Sequence, residues 1–329
     1  MTAFAAGLLT AGPLLGVGPG CGPCHARQVQ AHAATAMAQT LIEPRASAVF
    51  RAHPRLEWTL GRYRYEITAE RYRVSDGSRA LDAAMRWAVG HGEAGQTWVV
   101  EWGGRLWESR ASFYARLGGL GPTMGAPPGE PTSLEEALGR QLPPRDLFEC
   151  LNCHATPTPA SAHTSRGTLS WAQTLQRGVQ CESCHHFVQE HAAQPTVKAP
   201  SLAGRGAEEM SELCGRCHRT WADIAVNGPR GIGNVRFQPY RIARARCYDA
   251  SDPRIACTAC HDPHARPDRA SAIVRTDRAC AACHAAGCPS GARHGCATCH
   301  MPKYELPGSH FQFTDHWIRL VRNRDEYPD

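Results

Sequence analysis

Hydrophobic and polar positions change rhythm several times along this 329-residue chain. Between residues 55 and 117, apolar or aromatic side chains alternate with charged ones, as in RLEWTLGRYRYEITAERYRV. That is the period-two pattern of half-buried strands. The continuation QTWVVEWGGRLWESRASFY turns about Gly103-Gly104, a pair able to take the positive backbone angles of a tight hairpin. These segments predict a small antiparallel β insert of about four strands in the N-terminal part. Five of the eight tryptophans lie here (Trp58, Trp87, Trp98, Trp102 and Trp107), expected to form the insert's own core rather than a docking face. His53 and His91 fall in the same region and read as structural. After His25 no Gly or Pro occurs until Pro44, which predicts a helix. Residues 118–145 are rich in Gly and Pro and predict a linker, with a short helix from Ser133 whose Glu136 fits a capping box. Residues 1–20 are apolar but broken by Gly and Pro, so they suit an export signal better than a membrane helix, although a basic n-region is missing.

The chemistry lies in a repeated pentapeptide. Cys-x-x-Cys-His occurs seven times: at Cys21/Cys24/His25, Cys150/Cys153/His154, Cys181/Cys184/His185, Cys214/Cys217/His218, Cys257/Cys260/His261, Cys280/Cys283/His284 and Cys296/Cys299/His300. Two thiols at this spacing can face one porphyrin edge and form thioethers with its vinyl groups, while the next residue supplies an axial nitrogen to the iron. A zinc protein would pair its CxxC units into four-ligand sets and would not need His after every second Cys. The pattern predicts seven covalently attached haems c.

Motifs two to seven start 31, 33, 43, 23 and 16 residues apart, too close for a conventional aliphatic core around each. The expected fold is therefore mostly α and irregular, a multihaem cytochrome c fold with short motif-bearing helices and the haems as core. The expected organisation is a probable-export segment at 1–20, a monohaem region at 21–145 with its β insert and linker, and a hexahaem domain at 146–329.

The formal charge of +6 comes without a basic helix or an aromatic-interleaved basic stripe, which argues against nucleic acid as a partner. Each haem would bring a pair of propionates, and arginines are well shaped to neutralise them. Haem attachment through thioethers implies maturation outside the cytoplasm, hence a periplasmic or extracellular protein whose membrane contact runs through a partner or an uncleaved leader. Cys247 and Cys288 are left over from the motifs. An oxidising compartment favours a disulfide between them, with two buried free thiols as the alternative.

Ten histidines lie outside the motifs. His32 follows His25 by two helical turns and can leave its own haem for a neighbour. His191 follows motif three, and His264 follows Pro263, which turns the chain away from His261. His163, in a Ser/Thr/Pro-rich loop, and His294, just before motif seven, are further candidate distal ligands.

The stretches CGPCHARQVQAHAATAMA, GVQCESCHHFVQEH, CTACHDPH and CATCHMPKYELPGSHFQFTDHWIR carry a family resemblance. The chain resembles the multihaem cytochromes c related to cytochrome c nitrite reductase, hydroxylamine oxidoreductase and the tetrahaem electron carriers. The resemblance implies closely packed haems with His on both faces of most irons, and His310 and His316 as distal ligands of haems other than their own. It does not carry over a catalytic role: the Cys-x-x-Cys-Lys of the nitrite reductases is absent, and no tyrosine matches the crosslinking residue of the hydroxylamine oxidoreductases.

Seven candidate distal histidines for seven irons favour an electron-transfer protein serving redox partners, because two imidazoles leave no open position for substrate. The alternatives are a multihaem oxidoreductase with one open iron acting on a small nitrogen or sulfur species, and a subunit of a haem filament or respiratory assembly.

Overall fold

The computed structural model describes residues 21–185, 188–285, 288, 291, 294–322 and 325–328; the expected export segment lies outside them. The chain opens with α1 (Gly22–Ala33), which carries motif one. It then enters a sheet through β1 (Leu41–Ile42) and the short helix α2 (Ala48–Ala52). The strands that follow are β2 (Leu56–Leu60), β3 (Tyr63–Ile67), β4 (Arg71–Ser75), β5 (Ala80–Val89), β6 (Gly95–Trp102), β7 (Arg105–Ser109), β8 (Ala111–Tyr114) and β9 (Gly119–Pro122). After them come α3 (Leu134–Leu138) and β10 (Gly139–Gln141). All pairings are antiparallel, in the order β10-β7-β6-β5-β4-β3-β2, with β1 on β5 and β8 joining β6 to β9.

This is a ten-stranded sheet rather than a small insert of four strands. The expected alternation is there: Tyr63, Tyr65 and Ile67 face inward from β3 while Arg64 and Glu66 do not. Gly103 and Gly104 turn β6 into β7 with φ of 59° and 71°. What extends the sheet is the segment expected to be a linker, which supplies β9, α3 and β10. Its glycines serve close approach as much as flexibility. A Cβ on Gly139 (φ 146°) would stand 1.9 Å from the Glu108 carbonyl oxygen, so only glycine lets β10 meet β7. Ser133 caps α3 by accepting from the Glu136 N–H, but Glu136 turns to the Thr132 N–H and hydroxyl instead of completing the box.

One face of the sheet buries Trp98, Tyr63, Tyr72, Ile67 and Val100 against Leu134 and Leu138 of α3. Trp107 belongs to this core and Trp58 and Trp102 pack on it, as expected. Each such fully buried apolar side chain contributes roughly 1.5–3 kcal/mol. The second cluster matters more for function. Trp87, Val99 and Leu106 pack on Leu147 and Leu151 of α4 (Pro144–His154), the helix of motif two, and on Trp171 of α5 (Leu169–Gln173). Pro144 opens α4 where its missing N–H costs nothing, and Leu147 and Leu151 lie one turn apart on the buried face. The sheet is thus the platform on which motif two is seated.

Beyond α4 the elements are short. A two-stranded ribbon, β11 (Ala155–Thr156) with β12 (Gln176–Arg177), leads to motif three in a 3-10 turn at Cys181–Ser183. Next come α6 (Gln189–Ala193), α7 (Ala207–His218) with motif four, α8 (Trp221–Asn227) and α9 (Gln238–Ile242). Motif five lies on α10 (Cys257–Cys260), motif six starts at the end of α11 (Arg269–Ala281), and motif seven forms α12 (Cys296–His300). The ribbon β13 (Lys303–Glu305) with β14 (Gln312–Thr314) closes the chain. Among the described residues no helix is long and apolar enough to cross a membrane. After Ala256 no described apolar side chain is buried, although three motifs lie there.

Candidate functional site

Three pairs of imidazoles face one another. The His25 and His191 ring centroids are 6.2 Å apart, those of His185 and His264 5.9 Å, and those of His261 and His316 6.1 Å. In each pair a motif histidine meets one of the expected distal candidates. An iron bound to two imidazoles at about 2 Å holds the ring centroids roughly 6 Å apart. The separations therefore fit a metal between the rings and exceed what direct stacking would give.

The hydrogen bonds agree. Nδ1 lies on a backbone carbonyl in His191 (Val197, 2.6 Å), His300 (Arg319, 2.9 Å) and His316 (Thr314, 3.0 Å). His154 Nδ1 lies 3.2 Å from the Thr40 carbonyl and 2.6 Å from its hydroxyl. A carbonyl can only accept, so Nδ1 carries the proton and Nε2 presents its lone pair, the arrangement that orients histidine ligands in metal sites. Desolvation holds His154, His218 and His261 below the ordinary imidazole value. Burial, with His261 alongside, lowers His316 to about 4. These rings are neutral at physiological pH, the form that can ligate.

His316 is held by a polar clamp. Asp315 is fully buried and accepts from Arg241 Nε (2.8 Å) and Nη2 (2.9 Å), from Arg319 Nη1 (2.5 Å) and from the Trp317 N–H (3.0 Å). Arg241 also lies over the Trp317 and Tyr327 rings. Nothing in the sequence reading singled out Arg241 or Asp315. The available signal was the acid directly before a candidate ligand and an arginine between Tyr240 and Ile242.

Other candidates are engaged elsewhere. His32 places Nε2 2.8 Å from the Val179 carbonyl and Nδ1 3.3 Å from that of Pro263, which makes it a brace between loops in this structure. His163 is exposed at the end of a 3-10 turn. The His294 side chain is 90% exposed and stands 3.9 Å from Asp277. His310 sits edge-on to Tyr114 at 4.8 Å with a left-handed backbone, φ 50°. Cys247 is exposed and free, so the expected disulfide to Cys288 is not formed here.

Several attachment residues depart from the enclosed interior that haems acting as core would predict. Cys24, Cys217, Cys283 and Cys299 are exposed, and so are the motif histidines His25, His218, His261 and His284. In each of these four motifs the first cysteine (Cys21, Cys214, Cys280 or Cys296) is half-buried and the second faces outward. The cause is local for motifs six and seven. Neither α11, which leads into Cys283 and His284, nor α12, which carries Cys299, has a buried side chain, so neither helix seats its motif in an apolar layer. Motif one has little more support, because α1 buries only Val29 and leaves Cys24 on its outer side. The chain itself thus anchors one edge of these motifs and does not enclose the other.

The cysteines connect the motifs. Cysteines of different motifs stand beside one another: Cys21 with Cys181 (motifs one and three), Cys153 with Cys217 (two and four), Cys214 with Cys257 (four and five) and Cys280 with Cys296 (six and seven). Cys184 of motif three lies in the field of Cys214 and Cys217, and Cys260 of motif five in that of Cys280. Neighbouring cysteines thus join motifs one and three, motifs two, four and five, and motifs six and seven, and α10 of motif five packs on α11 of motif six. Burial pushes the Cys150 and Cys181 thiols up to about 11. A cleft of about 700 Å³ between α10 and α11, lined by Ala259, Pro267 and Val274 with Arg275, Arg278 and Asp262, has an apolar wall and two guanidiniums at its edge that could meet a porphyrin's carboxylates, one of them 3.8 Å from Asp262.

The likenesses to known proteins point the same way. The family model for cytochrome c554 and c-prime matches residues 132–186, which contain motifs two and three, and that for the doubled CXXCH motif matches residues 253–287, which contain motifs five and six. This chain is a multihaem c-type cytochrome. Among solved structures it is similar to the outer cell wall cytochrome OcwA, at 17% identity over 60% of this chain and 36% of that chain, with a TM-score of 0.35. The cytochrome thus spans little more than a third of that relative's length. No protein of curated function matches it.

In such a protein the haem supplies the redox centre. The residues here orient the imidazoles, through the Nδ1 bonds and the Asp315 clamp, and bring one attachment motif close to the next.

Proposed function

We propose that the cytochrome binds seven haems c, one at each Cys-x-x-Cys-His motif, and carries electrons between redox partners outside the cytoplasm. The observation that carries this reading is the closeness of the attachment sites, with cysteines of motifs one and three, two and four, four and five, and six and seven beside one another and α10 packed on α11, which would set neighbouring haem edges side by side. In this reading His25 and His191, His185 and His264, and His261 and His316 are axial pairs. Irons so ligated take up and release electrons without a substrate position, and burial and nearby charge set their potentials. Motif four, beside motifs two and five and in the field of Cys184 of motif three, is the junction through which the arms exchange electrons. The intact mass of the purified protein should exceed that of the polypeptide by seven haems, and electron paramagnetic resonance of the oxidised form should show low-spin iron from the three imidazole-paired sites. Fewer haems, or a high-spin signal that shifts with added nitrite or hydroxylamine, would overturn the reading.

A further inference from the structure

Motifs six and seven are joined by a carboxylate that neither the motif pattern nor axial ligation accounts for. Asp277 lies on α11, three positions before Cys280. Its Oδ2 accepts from the Gly295 N–H (2.8 Å) and its Oδ1 from the Cys296 N–H (2.9 Å). Gly295 has φ 73°, which turns the chain so that both N–H groups point at the carboxylate. The same carboxylate lies beside the Cys296 thiol, which in turn neighbours that of Cys280. The side chain is only 13% exposed. Burial works against its charge, yet the two N–H bonds hold the carboxyl below the usual range, so it is ionised at neutral pH.

We propose that Asp277 is a positioning residue that fixes motif seven against motif six and places a negative charge at their shared edge, lowering the reduction potentials of both haems. The argument rests on the proposed seven-haem reading. A ferric haem carries one more positive charge than a ferrous one, so a nearby anion favours the oxidised state. Water admitted to a loosened site does the same, because it solvates the more highly charged form. The two roles of Asp277 therefore separate by sign. Losing the charge raises potentials, and losing only the packing lowers them.

The test is Asp277→Asn, which keeps the shape and one acceptor oxygen, titrated as the holoprotein by spectroelectrochemistry beside wild type and Asp277→Glu. Two of the seven components should move to more positive potential in the Asn variant and return toward wild type in the Glu variant, with haem content and low-spin signals unchanged. Unshifted potentials, or a negative shift, would overturn the proposal. If the Asn variant does not mature, the small, neutral Asp277→Ser gives the same reading. Peptide mass mapping of the wild-type segment 280–300 separates the two layers: a segment without two haems sinks the seven-haem reading, whereas a loaded segment with unshifted potentials sinks only the role of Asp277.

Discussion

Asp315→Asn should cost the holoprotein about 3 kcal/mol and release His316 from its place. Both Asp315 and Arg241 are fully buried, and the carboxylate meets the guanidinium through two bonds of 2.8 and 2.9 Å. Charges about 4 Å apart attract by about 4 kcal/mol at an effective dielectric of 20. Removing one member of a buried pair costs about 3–5 kcal/mol because the other charge is stranded. Arg241 would keep the Pro328 carbonyl (3.0 Å), Asn234 Oδ1 (3.2 Å) and its two aromatic faces, which sets the expectation at the lower end. Urea unfolding followed in the Soret band measures the loss, with the slope compared between variants because haem proteins depart readily from two-state behaviour. The same sample should show a new high-spin component, since His316 directly follows Asp315 and faces His261. The pair can also be removed whole. Arg241→Met with Asp315→Leu leaves no stranded charge and should be less destabilised than the sum of the two single changes. A loss below about 1 kcal/mol for Asp315→Asn, or additive single effects, would refute the account of the clamp.

Gly178→Ala would put a Cβ 1.9 Å from the Ala38 carbonyl oxygen at φ 72°, and the forced shift should destabilise by about 2 kcal/mol or more in thermal melts; wild-type stability would show that the motif-one loop does not depend on this contact. His191→Ala should add one high-spin iron and leave the other signals in place, whereas an unchanged spectrum would remove His191 as the partner of His25. The Asp76 carboxyl is held at about 2, first by the Arg79 N–H and then by the Ser78 hydroxyl and N–H. Its folded value is depressed, so the stability it lends the β4–β5 turn is complete above the ordinary carboxylate value of 3.8 and is lost as pH falls toward 2. In circular-dichroism melts, Asp76→Asn should therefore be less stable than wild type at neutral pH and converge with it at acid pH; a constant gap would refute the assignment.

The haem attachment chemistry and the strands with clear alternation were legible in the sequence because both are local patterns. A motif spans five residues, and Tyr63, Tyr65 and Ile67 declare a buried face by their spacing alone. The rest was hidden where information is long-range. The strands β9 and β10 are short and lie among glycines and prolines, and what recruits them is backbone approach, as at Gly139, not apolar periodicity. Motif one illustrates the same limit. It stands far from the others along the chain, yet the Val179 N–H donates to the Met37 carbonyl, His32 braces the Val179 carbonyl, and Cys21 stands beside Cys181.

These contacts also occupy His32, which was expected to leave its own haem for a neighbour. His32, two turns along the same helix, is consumed in holding motif three against motif one, and the ring that faces His25 comes from His191. After Ala256 no described apolar side chain is buried, so hydrophobic patterning has little to specify in the region of motifs five to seven. Specification passes to polar devices that tie one motif to another element: Asp277 to the backbone of Gly295 and Cys296, Asp315 to Arg241 and Arg319, His300 Nδ1 to the Arg319 carbonyl. Each is a single residue whose meaning depends on a partner elsewhere in the fold. Such a region, with no apolar core of its own, should tolerate apolar substitution at its surface far better than the loss of one of these few carboxylates, the reverse of what holds in the ten-stranded sheet.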